Sequence, residues 1–277
     1  MTRVGFIGLG SQGAPMARRI VDEGYATTLW SRRPESVEPF ADTRATVAAT
    51  PAELGAAVDV VAICVVDDAG VDEVLRGPDG VLSTLAAGSV VIVHATVHPE
   101  TCMRLQDDFP AVHFVDAPVS GGGHKAASRE LLVMAGGPPD VVERCRPILE
   151  TFGNPVLHVG PLGSGQEAKL LNNMVFTAQL ALAAEVYELA ASRQLDQHAI
   201  AAILSSGSGR SYAAEVVAGG GFSLDGLAAF AGQLLAKDVG ILAGHANLTD
   251  SLLLTAADSG LARMHASRTR STEQETP

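Results

Sequence analysis

The sequence predicts an α/β protein, a doubly wound and mostly parallel sheet followed by an all-α domain, and three observations predict it. A short apolar strand at residues 4–7 runs directly into a glycine loop and a helix. Apolar strand-like runs and amphipathic stretches then alternate as far as residue 162. After Gly165 the strand signals stop and only helical patterns follow. The expected domains are therefore 1–162 and 163–277.

The first element carries the most local information. Val4-Gly-Phe-Ile7 is followed without a gap by Gly8-Leu9-Gly10-Ser11-Gln12-Gly13, and helical spacing continues to residue 23. Glycines there permit a tight turn and a close approach of backbone to a pyrophosphate, whose charge sits on the free N–H groups of the helix N-terminus. A strand at 27–30 follows, and its end selects the cofactor. An NAD site usually has a carboxylate about 20 residues beyond the glycines to bond the ribose 2′-hydroxyl. Here Ser31, Arg32 and Arg33 stand instead. Paired guanidinium groups offer forked donors to a 2′-phosphate, so the sequence favours NADP over NAD. The same arginines also fit a solvated turn before Pro34.

Further strands are expected at 58–66, 89–94, 113–117, 131–135 and 156–159, with helices at 51–57, 71–76, 99–106 and 140–152. From residue 166 to 193 one helical pattern runs for about 28 residues, some 42 Å. It is apolar on nearly every face, through Leu170, Leu171, Met174, Phe176, Leu180, Leu182, Val186 and Leu189. Such a helix must be buried all round, which a small helical domain cannot do alone, so a partner copy is expected to cover part of it. Helices at 197–205, 211–217, 230–244 and 252–266 complete the domain, and the polar tail 267–277 is expected to be disordered.

Composition excludes several classes. The chain has 277 residues, 47% of them hydrophobic, enough for two buried cores. Only 4% are aromatic, and 29 glycines with abundant alanine suit closely packed strands and helices. A net charge of −12 opposes nucleic acid or an anionic membrane as partner. Cys64, Cys102 and Cys145 are too scattered for a disulfide framework or a metal site, and neither the histidines nor the carboxylates cluster. Reduced thiols, no visible signal peptide and no charge-free apolar stretch of spanning length give a cytoplasmic expectation with no metal.

The chemistry is expected in Gly163-Ser-Gly165-Gln-Glu-Ala-Lys169-Leu-Leu-Asn172-Asn173. Residues three and four apart share a helix face, so an ammonium and two carboxamides converge, while the glycines let a ligand approach that face. A solvated helix stripe is the other reading of the same residues. A second candidate is Ser120-Gly121-Gly122, after the strand at 113–117, where consecutive N–H groups beside a hydroxyl form a small anion nest. Lys237-Asp238 is the last pair singled out; by itself it reads equally as a surface ion pair of small value.

Four motifs in order, Gly8-Leu-Gly-Ser-Gln-Gly13, Asp116-Ala-Pro-Val-Ser120-Gly121-Gly122, the run from Gly163 to Asn173, and Lys237-Asp238, make nearly the whole chain resemble the β-hydroxyacid dehydrogenases typified by 3-hydroxyisobutyrate dehydrogenase. The resemblance implies a Rossmann domain followed by an all-helical one, an oligomer joined through the helical part, and NAD(P)-dependent interconversion of a small hydroxy acid with its aldehyde or ketone. It implies Lys169 as the catalytic lysine, Asn173 as the residue that orients the substrate, and Ser120, Gly121 and Gly122 as the substrate-carboxylate site. It places Thr96 near the nicotinamide ribose and Lys237 against the cofactor. The chain departs from the pattern at His124, Lys125 and Arg129, bulky cations expected to reshape the pocket. It departs again at Ser211-Tyr212 and in ending soon after Ala266, where relatives add a helical segment. Imine reductases resemble the same scaffold but usually lack a lysine at position 169, and a silent cofactor-binding protein is the non-enzymatic rival.

Overall fold

The computed structural model describes residues 2–246, 248 and 250–268. It divides into two compact units, Met1–Lys169 and Leu170–Pro277, taken in turn below. The division falls inside a helix, seven residues beyond the position between 162 and 163 expected from sequence.

The first unit is built on nine strands: β1 (Arg3–Ile7), β2 (Ala26–Trp30), β3 (Thr46–Val47), β4 (Val60–Ile63), β5 (Val90–Val93), β6 (His113–Asp116), β7 (Val119–Ser120), β8 (Leu131–Gly136) and β9 (Gly153–Gly160). Their order is β3-β2-β1-β4-β5-β6-β8-β7, with β9 beside β8. Neighbours from β3 to β6 are parallel, β8 runs antiparallel to β6 and β7, and β9 is parallel to β8. The expected mostly parallel sheet is present.

The central strands read as unbroken apolar runs because both faces are covered. Val4, Phe6, Val60 and Ala62 enter one core, whereas Ile7, Val61 and Ile63 enter the other. Helices α1 (Gly13–Asp22), α2 (Pro51–Ala57), α3 (Asp68–Arg76), α4 (Pro99–Asp108), α5 (Gly122–Ala127) and α6 (Pro139–Leu149) complete this unit's connections. The run expected as a strand from 58 to 66 is cut to four residues, since Asp67 caps α3 by accepting the Gly70 N–H at 2.9 Å. Strands β3 and β7 and helix α5 were not expected; two-residue strands and a six-residue helix leave too few side chains for a period.

Helix α7 (Ser164–Ser192) begins in the first unit and continues in the second, which also holds α8 (Gln197–Ser206), α9 (Tyr212–Gly219), α10 (Asp225–His245) and α11 (Leu252–Arg263). This unit buries its own core around Leu170, Met174, Tyr187, Val217, Val239 and Leu261. Burial all round α7 is not achieved within the chain: Leu171, Leu182 and Leu189 are about half exposed. By length and composition alone α7 and α10 could cross a membrane; 50% and 39% of their most apolar windows are buried inside the protein. Residues 269–277 of the expected disordered tail lie outside the described residues. Arg268, also assigned to that tail, is instead held by Asp258 at 2.6 Å, because a bidentate ion pair ties it to α11.

Candidate active site

The glycine loop between β1 and α1 separates two uses of a missing side chain. A Cβ on Gly8 or Gly13 would overlap backbone oxygen of the protein itself, so the loop closes tightly on β4 and on its own turn. A Cβ on Gly10 would meet nothing within 4 Å. Helix α1 has Gln12 at its N-cap and no side-chain cap bond, so its first N–H groups are not taken up by a capping side chain. Leu9 is buried and Ser11 exposed. The Ala14 N–H is held by the Gly10 carbonyl at 2.9 Å, but open room at Gly10 beside a helix start that no side chain caps suits a pyrophosphate, and the loop fits the expected dinucleotide.

At the end of β2, Ser31 is half-buried and Arg32 and Arg33 are exposed. Sequence reading found no carboxylate here; the fold supplies one. Glu73 on α3 reaches Arg32, with Oε2 2.5 Å from Nη2. The two residues are 41 apart in the chain, so the strand end by itself carries no sign of the pair.

The loop after β5, the end of β6 and the start of α7 meet at the carboxyl ends of β5 and β6. Asp116, the fully buried last residue of β6, accepts the Gly163 N–H at 2.8 Å and the Gln166 N–H at 2.7 Å. Its carboxylate therefore caps the start of α7 from another element. Gln166, also fully buried, accepts the Val97 N–H at 3.1 Å and donates to the Ala95 carbonyl at 2.8 Å. Burial raises the Asp116 pKa, while the N–H donors of Gly163, Gln166 and Gly165 pull it down; the net direction is upward. In the sequence Asp116 and Gln166 carry no signal beyond membership of their motifs. The glycines here admit protein rather than ligand. A Cβ on Gly165 would overlap the Met134 carbonyl oxygen and crowd Asp116.

Thr96 sits half-buried between the clamped residues Ala95 and Val97, and Lys169 lies half-buried one turn beyond Gln166. Ser120 ends β7, Gly121 precedes α5 with φ +135°, and Gly122 opens α5 with φ +76°. Of the three unexpected cations nearby, Arg129 pairs with Glu23 at the end of α1. The Lys125 stem packs where a Gly121 side chain would go.

In the second unit Asn173 is buried and Asn172 exposed. Asn173 Nδ2 donates to Asp238 Oδ2 at 2.6 Å, and its Oδ1 accepts from Asn172 Nδ2 at 3.1 Å. Lys237 Nζ lies 2.8 Å from the other oxygen of Asp238, close enough for an ion pair but not aligned as a hydrogen bond. Asp238 is only 4% exposed, so Lys237-Asp238 is no surface pair. At Ser211-Tyr212, Ser211 caps α9 by accepting the Ala214 N–H at 3.1 Å, and Tyr212 is exposed.

Cys64, Cys102 and Cys145 are free thiols, and burial pushes Cys64 and Cys145 up to about 12. Among the described residues no group of three or more His, Cys, Asp or Glu could hold a metal ion. His94 is buried, donates from Nδ1 to the Ala117 carbonyl at 2.7 Å, and is held down to about 4 by burial.

Two family models between them match both parts of the chain. Residues 3–160 match the NAD binding domain of 6-phosphogluconate dehydrogenase, and residues 163–275 match the NAD-binding domain of NADP-dependent 3-hydroxyisobutyrate dehydrogenase. The mitochondrial 3-hydroxyisobutyrate dehydrogenase of Mus musculus is 32% identical over 262 residues, 91% of this chain and 78% of its own. The solved complex of Psf3 with NADP+ and 2-OPP superposes with a TM-score of 0.83 at 28% identity, covering 96% of both chains. An imine reductase from Streptomyces aurantiacus is more distant, with TM-score 0.65 and 26% identity over 82% of this chain and 77% of its own.

Proposed function

Since the chain belongs to the β-hydroxyacid dehydrogenase family, whose members are NAD(P)-dependent oxidoreductases acting on CH–OH groups, we propose that it interconverts a small hydroxy acid and its semialdehyde or keto acid, with NADP preferred and Lys169 as general acid and base. The observation that carries this reading lies within the first unit. Asp116 and Gln166 tie the first turn of the Lys169 helix to the strand leading toward Ser120 and to the loop of Thr96.

A nicotinamide cofactor held on the loop between β1 and α1 would supply the hydride. Ser120, Gly121 and Gly122 hold the substrate carboxylate through N–H and hydroxyl donors, which sets the reacting carbon a few bonds away. Lys169 protonates the carbonyl oxygen in the reductive direction and takes that proton back in the oxidative one. A lysine ammonium is charged at neutrality and so also steadies the developing alkoxide. Asn173, its carboxamide held by Asp238, keeps the oxygen in register, and Thr96 and Lys237 are the residues that would hold the cofactor. Arg32 and Arg33 at the end of β2 support the preference for a 2′-phosphate. The half-exposed leucines of α7 support a homo-oligomer formed through the helical unit, and three free thiols support a cytoplasmic setting.

The test is a screen of purified protein with NADPH against glyoxylate, tartronate, methylmalonate and succinate semialdehydes, their uncharged analogues and cyclic imines, following nicotinamide absorbance. Carboxylate-bearing carbonyls are expected to turn over best, and Lys169→Ala is expected to lower kcat about a hundredfold or more with NADPH affinity intact. Preferential turnover of cyclic imines with near-normal kcat in Lys169→Ala would replace this reading with imine reduction. NADPH binding without turnover of any substrate would replace it with the silent interaction protein.

A further inference from the structure

Gln166 is fully buried, and its carboxamide joins both peptide groups that flank Thr96. The pairing is directional. With Oε1 toward the Val97 N–H and Nε2 toward the Ala95 carbonyl, both contacts are hydrogen bonds; reversed, donor would face donor and acceptor would face acceptor. The backbone N–H of the same residue is held by Asp116. Gln166 thus fixes three things at once: the backbone around Thr96, the first turn of α7, and the end of β6. A leucine or methionine would fill similar volume without burying a polar group that needs partners. Lys169 follows three residues later, about 4.5 Å along the helix axis.

We propose that Gln166 is a positioning residue of the reaction, setting the Thr96 loop in register with Lys169 so that the cofactor seat and the proton donor keep one fixed spacing. This rests on the roles given above to Thr96 and Lys169. The Gln166 carboxamide grips the peptide groups on either side of Thr96, so its action is through backbone geometry, where small misplacements lower rates steeply.

Gln166→Glu provides a titratable version of the same clamp. Protonated, the introduced carboxyl accepts from Val97 and donates to Ala95; ionised, it sets two acceptors against each other. Burial raises the pKa of such a carboxyl. Activity of Gln166→Glu, expressed as a ratio to wild type at each pH, is therefore expected to lie within about threefold of unity at the acid end. It should fall about tenfold or more as pH rises, the size of two lost hydrogen bonds. Gln166→Met should show a comparable fall in kcat that is flat in pH. In both variants unfolding midpoint and circular dichroism are measured alongside.

Wild-type kcat and KM in Gln166→Met would overturn the proposal. So would a flat ratio for Gln166→Glu, or activity that only tracks loss of folded protein. Lys169→Ala reports separately, since it leaves the Gln166 bonds in place: its retention of activity would sink the general-acid reading, while the pH-dependent ratio still decides the clamp.

Discussion

Two helices of this protein begin in the same way in sequence and are used in opposite ways. Helix α1 opens at the last glycine of Gly8-Leu-Gly-Ser-Gln-Gly13, and α7 opens within Gly163-Ser-Gly165. At α1 the N-cap makes no side-chain bond and Gly10 faces open space. At α7 the first N–H groups are taken by the buried carboxylate of Asp116, and Gly165 is pressed against Met134 and Asp116. One start is left for an external anion; the other is filled by an internal one. A glycine-rich helix start is therefore a ligand site only where the fold brings no carboxylate of its own.

The comparison breaks most easily at Gly165. An added methyl there has backbone oxygen in its path, and neither Met134 nor Asp116 can move without disturbing its strand. Gly165→Ala is expected to lower unfolding stability by about 3 kcal/mol, as overpacking of a rigid site does. Urea titration reads this directly, and a change under about 0.5 kcal/mol would mean the start of α7 is as roomy as that of α1.

Nearly as large an effect is expected at His94, which lies at the end of β5, just before the Thr96 loop. Its Nε2 has no hydrogen-bond partner, and burial holds the ring neutral down to about 4 against 6.5 in the unfolded chain. A group with a depressed basic pKa leaves stability unchanged above 6.5, where both states are neutral. As pH falls from 6.5 toward 4 the unfolded state takes up a proton that the folded state refuses, so stability drops by about 3 kcal/mol in all. Asp116, raised by burial, works in the opposite sense as pH falls. The difference between wild type and His94→Gln isolates the histidine. Parallel stability curves for the two between pH 6.5 and 4 would remove His94 from the acid sensitivity of this region.

How much of this was legible in the sequence follows the same division. The α1 site was legible because strand, glycines and helix are contiguous, and the alternation of apolar runs announced the parallel sheet. Lys169 and Asn173 were legible as a spacing on one helix. The α7 clamp was not: Asp116 and Gln166 are 50 residues apart, and Ala95 lies 71 from Gln166. Their partners are backbone groups, which carry no side-chain identity for a motif to record. The same distance hid Glu73 from Arg32, and the brevity of α5 and β7 left the surroundings of Ser120 without a period to read.

At the start of α1 the expected effect is on binding rather than folding. Gly10 has no positive φ and its Cβ would meet no protein atom. Gly10→Ala is expected to unfold within about 0.5 kcal/mol of wild type. Its NADPH dissociation constant should rise about tenfold, because the methyl occupies the space left for phosphate. Calorimetric titration with unchanged affinity would show that the room beside Gly10 is not the cofactor's.

The smallest expected effect concerns the ion pair between Arg32 and Glu73, and it asks whether the open start of α1 extends to a free guanidinium. Both side chains are more than half exposed, 67% and 59%, so the pair contributes no more than about 1 kcal/mol. If Arg32 binds a 2′-phosphate as proposed, the protein gives up that contact and Glu73 remains as a nearby negative charge. Glu73→Gln removes both penalties. NADPH affinity is expected to rise about twofold to fivefold, with NADH affinity unchanged because that cofactor carries no phosphate there. Salt should erase much of the gain, since the groups are exposed. Arg32→Ala should lower NADPH affinity about tenfold in the same assay. If Arg32→Ala changes the ratio of the two dissociation constants and Glu73→Gln does not, the carboxylate is a bystander. If neither changes it, the arginines are the solvated turn before Pro34 and cofactor choice lies elsewhere in the loop.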